Sequence, residues 1–124
     1  MNIVNVGYDS TNYYVIEQNR KLRATLKRTG IALHELNYFS ITHYHPDHAG
    51  LVQELKAEGI KHIVWQEQVT AVSQLKIYMK PDSGYVEIRL HDSLHLAIAQ
   101  SRAWLSTQLG LAGEIVSTPG HSDD

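Results

Sequence analysis

The residues best suited to chemistry lie in one short segment, residues 42–50. Three histidines and one aspartate fall within six positions of this segment: His43, His45, Asp47 and His48. Residues two apart in an extended chain point to the same side, so the imidazoles of His43 and His45 can bind one ion together. The chain has no cysteine, so any metal must be held by His, Asp, Glu or water. Such ligands favour Zn²⁺, with iron or manganese as alternatives.

His121 is the natural third ligand for this first ion. It follows Pro119 and Gly120, on a turn that can present its side chain. Three histidines with water in the fourth position are the open arrangement of a catalytic zinc, which lowers the pKa of that water to around 7. Asp47 and His48, at the start of the next predicted helix, can bind a second ion close to the first.

Alternating strands and helices are predicted to position these side chains. The clearest strand covers residues 38–42 and leads directly into His43, and a helix is predicted after it at residues 49–58. Further strands are predicted at residues 3–8, 13–17, 60–65, 85–90 and 114–117, the first two as a hairpin. Further helices are predicted from Asn19 to Gly30 and at residues 68–80 and 101–109. This alternation predicts an α/β layered fold.

The composition fits one small globular domain over residues 1–124. Hydrophobic residues make up 43% and charged residues 19% of the 124 residues. The formal net charge of −2 gives no electrostatic reason to expect a nucleic-acid or membrane-surface partner. No apolar run approaches the roughly 20 residues of a membrane span, and the first residues lack the pattern of a signal peptide. The expected location is therefore the cytoplasm.

Two other groups of residues are interpreted without a site. The remaining histidines are interpreted as surface residues or hydrogen-bonded core residues: His34, His62, His91 and His95. Five basic residues of the first predicted helix are interpreted as a solvated face, with a polyanion site as the alternative: Arg20, Lys21, Arg23, Lys27 and Arg28.

Residues 42–50 and 117–122 resemble the metal-binding motifs of the metallo-β-lactamase fold superfamily of metal-dependent hydrolases. Residues 10–17 and 26–31 resemble it more weakly. The resemblance implies an αββα sandwich with a dinuclear, usually zinc, site at one edge. It implies that His43, His45 and His121 bind the first metal and that Asp47 and His48 bind the second. Asp47 would also lie near the metal-bound water, as the catalytic residue.

The sequence departs from the family pattern in two places. A strand that ends in an Asp-x-Gly turn precedes the first helix in the family, and this strand is missing here. Family members also continue past the Gly-His turn into a second half, which supplies an aspartate that bridges both metals and a final histidine. Since this sequence ends at Asp124, we expect only the N-terminal half of the sandwich, with one complete metal site of the family's two.

The implied function is hydrolysis of a small-molecule substrate by a zinc-bound hydroxide. The bond attacked would be an ester, thioester, lactone, amide or phosphodiester. His45 argues against flavodiiron-type relatives, which carry Glu there, and His48 argues against one β-lactamase subclass, which carries Arg. Glyoxalase II-like thioesterases, lactonases, RNase Z-like nucleases and iron sulfur dioxygenases stay compatible with the motifs.

Two alternatives accompany this hypothesis. The chain could be a catalytically inactive half-domain that binds one metal or none, and that self-associates to cover the exposed face of its sheet. It could also be an iron-dependent oxygenase of the same fold, which iron content and oxygen consumption would distinguish.

Overall fold

The structure, a computed structural model, describes residues 15–121, with side chains from residue 19 onward. Its helices and strands are, in chain order, α1 (Val15–Thr29), β1 (Tyr38–Ser40), α2 (Pro46–Ala49), α3 (Val52–Ala57), β2 (Lys61–Trp65), α4 (Val69–Tyr78), β3 (Leu94–Leu96) and α5 (Ser101–Leu109). Short 3₁₀ turns occupy Leu33–Glu35, Gln66–Gln68 and Ile98–Gln100. No helix in this part of the chain is long and apolar enough to cross a membrane.

The three strands form a parallel sheet in the order β1-β2-β3. Ser40 of β1 lies opposite Ile63 of β2, and Ile63 lies opposite Leu94 of β3. Four of the five residues of β2 are buried, as expected for a central parallel strand that is covered on both faces. The predicted α/β fold class is confirmed.

Helices cover both faces of the sheet because successive residues of β2 point to opposite sides. The main core lies on the face of Val64 and contains Tyr44, Ala49, Val52, Val64, Val72, Leu75 and Ile88. On the opposite face, Ile63, Trp65 and Leu96 pack against Trp104 of α5. This layering leaves the carboxyl ends of the strands at one common edge, where open α/β sheets bind their ligands.

The first helix packs against the segment that follows α2. Leu22 and Leu26 of α1 are buried together with Leu51. The helix ends at Gly30, whose φ of 74° is the left-handed conformation that glycine adopts most easily. The predicted end of this helix is therefore confirmed.

The start of this helix corrects one strand prediction. Residues 15–17 belong to α1, so the strand predicted at residues 13–17 is wrong over those three residues. Asn19, the predicted start of the helix, lies inside it, where its Oδ1 accepts a 2.6 Å hydrogen bond from Arg23 Nε. The strand predicted at residues 3–8, and residues 13 and 14, lie outside the described residues.

Two other predicted strands are not strands in the structure. In the segment 85–90, the amide of Arg89 donates to Gln53 Oε1 at 2.8 Å. In the segment 114–117, the amide of Ile115 donates to Ser101 Oγ at 2.9 Å. In both segments a side-chain oxygen therefore accepts the hydrogen bond of a backbone amide that, in a strand, would bind a carbonyl of the neighbouring strand. Conversely, the short strand β3, at the edge of the described sheet, was not predicted.

The remaining predictions are close to the observed elements. The helix predicted at residues 49–58 is divided into α2 and α3, and α2 begins at Pro46. The strand at residues 60–65 and the helices at residues 68–80 and 101–109 are confirmed within a few residues as β2, α4 and α5.

Candidate metal centre

The candidate ligands follow β1 in a segment that we call the metal loop, residues 41–48. The strand predicted at residues 38–42 stops at Ser40. Beyond it, the side-chain amide of Gln68 donates to the carbonyls of Ile41 at 3.2 Å and Thr42 at 3.0 Å. Gln68 follows β2 at the same edge of the sheet. Its side chain therefore binds the backbone carbonyls of the metal loop at the point where β1 and β2 are no longer paired.

The second part of the metal loop enters α2. His45 is extended, with φ −92° and ψ 155°, and Pro46 occupies the first turn of the helix. The carbonyl of His45 accepts hydrogen bonds from the amides of His48 at 3.0 Å and Ala49 at 2.9 Å. Asp47 and His48 are thereby placed on the helix directly beside the two preceding histidines.

Three histidines, two from the metal loop and one from the distant residue 121, converge at this edge. The ring centroids of His43 and His45 are 4.7 Å apart, and His121 lies 4.9 Å from the first and 5.1 Å from the second. One nitrogen from each ring can be chosen so that all three lie within 4.8 Å of one another. Tetrahedral zinc with bonds of 2.0–2.1 Å needs nitrogens about 3.3 Å apart. The donor set therefore fits such an ion after small side-chain adjustments.

The exposure of the three rings differs. His43 and His45 are half-buried, whereas His121 is exposed. A site with two ligands set into the protein and one at the surface is accessible to solvent and to small molecules from one side.

Asp47 and His48 lie next to this group and contact each other. Asp47 Oδ2 is 3.3 Å from His48 Nε2, and each side chain is 27% exposed. The ring of His48 lies 4.1 Å from that of His43, between centroids. The Asp47–His48 pair thus adjoins the three-histidine group through the rings of His48 and His43.

Thr42 contacts a candidate ligand directly. Its hydroxyl is 3.0 Å from Nδ1 of His43. Such a partner on one ring nitrogen sets the orientation of a metal-binding imidazole and selects the other nitrogen for the metal.

The structure also has a buried network beneath the loop that was not predicted. Tyr44 Oη is 2.8 Å from His62 Nε2, and His62 Nδ1 is 2.9 Å from Ser93 Oγ. Burial, and after it the nearby positive charge of Lys56, lowers the pKa of His62 to about 4. The interpretation of His62 as a hydrogen-bonded core residue is confirmed. The alternation of side chains around Tyr44 was the only sequence signal for its inward direction.

We expect Gln68→Leu to destabilise the metal-free protein. A leucine of similar size leaves the carbonyls of Ile41 and Thr42 without the amide donor, which lowers the free energy of unfolding by roughly 1–3 kcal/mol. Denaturant unfolding measures the change. The matched control is Gln74→Leu on the exposed face of α4, which should change stability by less than about 0.5 kcal/mol. Equal stability of the two variants would contradict the role given to Gln68.

Comparison with known protein families gives a match over most of the chain. Residues 7–124 match the family model described as the metallo-beta-lactamase superfamily. No curated protein and no solved structure matches the chain. The family resemblance carried by the two histidine motifs is therefore confirmed across most of the sequence.

Proposed function

Because the chain belongs to the metallo-beta-lactamase superfamily, we propose that it is a metal-dependent hydrolase with a first metal held by His43, His45 and His121. The observation that carries this proposal is the convergence of three imidazoles with nitrogens within 4.8 Å of one another. His121 is far from the metal loop in sequence, so only the fold brings it there. A metal site needs several donor atoms around one point, and these three imidazoles provide them.

Zinc is the metal that this donor set suits best. Neutral nitrogen ligands without thiolates suit Zn²⁺, and three of them leave one coordination position open. When bound, the ion supplies Lewis acidity, which lowers the pKa of a water molecule at the open position to around 7. The hydroxyl of Thr42, at 3.0 Å from His43 Nδ1, holds that ring in orientation and assigns Nε2 to the metal.

Asp47 is the residue proposed to act on the nucleophilic water. Its carboxylate is a hydrogen-bond acceptor that lies 3.3 Å from Nε2 of His48, whose ring lies 4.1 Å from that of His43 between centroids. A carboxylate so placed accepts a proton from the attacking water, and can return it to the leaving group. Asp47 and His48 together also offer one oxygen and one nitrogen ligand to a second ion.

The proposed substrates share an electrophilic centre that water can attack. These are a small-molecule ester, thioester, lactone, amide or phosphodiester. In each case water adds to the carbonyl carbon or to phosphorus, the bond to the leaving group breaks, and the leaving group takes up a proton. Positive charge near the electrophile stabilises the developing oxyanion.

Metal content and activity, measured on the same preparation, test this function. We expect about one or more equivalents of zinc per chain. Hydrolysis of a panel of chromogenic ester, thioester, lactone, amide and phosphodiester substrates should be lost on chelation and restored by added Zn²⁺. Less than about half an equivalent of any metal in folded protein would contradict the proposal. Iron together with oxygen consumption would identify an oxygenase instead.

A further inference from the structure

Tyr44 separates the two histidines of the metal loop and points the opposite way. It is 2% exposed, whereas the rings on either side are half-buried and face His121. Neighbouring residues of an extended segment project to opposite sides. Any rotation of the backbone that displaced the tyrosine ring would therefore also turn both imidazoles.

The hydroxyl of this tyrosine is hydrogen-bonded to the central strand of the sheet. Tyr44 Oη lies 2.8 Å from Nε2 of His62. His62 is 1% exposed, belongs to β2, and stacks on Phe39 of β1 with ring centroids 5.0 Å apart. The hydrogen-bond partner of the tyrosine is thus fixed both by the central strand and by an aromatic ring.

The far nitrogen of the same imidazole is also occupied. His62 Nδ1 lies 2.9 Å from Ser93 Oγ, in the turn before β3. A neutral imidazole has one donor and one acceptor, and a hydroxyl can serve as either. The network Tyr44–His62–Ser93 can therefore satisfy both ring nitrogens of His62 in either tautomer, and it links the metal loop to β2 and to the turn before β3.

We propose that Tyr44 is a positioning residue of the metal centre: its hydroxyl, bound to His62, holds the backbone between His43 and His45 so that both imidazoles face His121. This inference rests on the proposed metal site. A tyrosine needed only to fill the core would be replaced equally well by phenylalanine, because its ring packs with Val52, Val64 and the rest of the main core. The hydroxyl distinguishes the two roles.

The test is the zinc affinity of Tyr44→Phe, measured by competition with a chromophoric chelator on folded, metal-free protein. Loss of a partner that orients a metal ligand weakens metal affinity by about 10-fold to 100-fold, and we expect a Kd about 10-fold higher. Ser93→Ala, which breaks the network one step further away, should raise Kd by about 3-fold, below that range. The visible spectrum of the Co²⁺ form should change in Tyr44→Phe, because the ligand geometry changes.

Leu96→Ala is the control for destabilisation alone. Leu96 belongs to the core on the opposite face of the sheet. This variant should unfold at a lower denaturant concentration while its zinc Kd stays within about twofold of wild type, since Leu96 and Tyr44 pack on opposite faces of the sheet. This control shows whether a higher zinc Kd follows from lower stability alone or from displaced ligands.

The outcomes are distinct. An unchanged Kd and Co²⁺ spectrum in Tyr44→Phe would overturn the positioning role while leaving the metal site intact. If Tyr44→Phe does not fold, Ser93→Ala decides: a raised Kd supports the role and an unchanged Kd overturns it. Failure of the wild-type protein to bind zinc would overturn the proposed function, and this inference with it.

Discussion

Replacing His45 with alanine is expected to abolish tight zinc binding. The variant removes one of three converging imidazoles, and the two that remain leave the ion with mostly water ligands. Loss of a partner outside the ligand set already weakens metal affinity by about 10-fold to 100-fold. Loss of a ligand should therefore raise the zinc Kd by more than about 100-fold.

The structure makes His45 a suitable residue for this experiment. It precedes α2, but its side chain makes no capping hydrogen bond, and only its carbonyl supports the helix. Alanine preserves that carbonyl. The metal-free variant should consequently fold with nearly wild-type stability, so that a change in Kd reports on the ligand itself.

The matched control is His34→Ala. His34 is exposed in the turn Leu33–Glu35. Its substitution removes the same side chain outside the metal loop. Calorimetric or chelator-competition titration should give this control the wild-type Kd. Equal zinc affinity in His45→Ala and His34→Ala would show that the three-histidine group does not hold the metal.

The stability of the metal-free protein is expected to fall between neutral and weakly acidic pH because of His62. Its pKa is lowered from 6.5 to about 4, first by burial and then by the positive charge of Lys56. Below pH 6.5 the unfolded chain takes up a proton at this residue that the folded chain does not. The free energy of unfolding should therefore decrease as the pH falls towards 4, by up to on the order of 3 kcal/mol.

Denaturant unfolding between about pH 4.5 and about pH 7 measures this dependence. His62→Gln has no titrating group at this position, so its stability should vary less with pH than that of the wild type. His34→Gln makes the same change at an exposed site and should keep the wild-type dependence. Identical pH profiles for wild type and His62→Gln would refute the assignment of the lowered pKa.

The sequence predicted the local elements where a single pattern dominated. The buried run of β2 and the apolar spacing of α4 can be recognised from neighbouring residues alone. Predictions failed where amides bond to distant side chains. The amide of Arg89 is paired by Gln53, for example, and not by a strand. Such a partner, far away in sequence, leaves no periodic signal.

The residue types and spacing of the metal loop were sufficient to predict metal chemistry and the family. Imidazoles and a carboxylate at this density favour metal binding, and their order, together with residues 117–122, resembles the motifs of that family. Only the tertiary structure brings His121 to within 5.1 Å of His45, measured between ring centroids. It alone shows that Tyr44, His62 and Ser93 form a buried network beneath the loop. Ligand identity depends on chemistry that the sequence states directly, whereas ligand position depends on contacts between residues that only folding brings together.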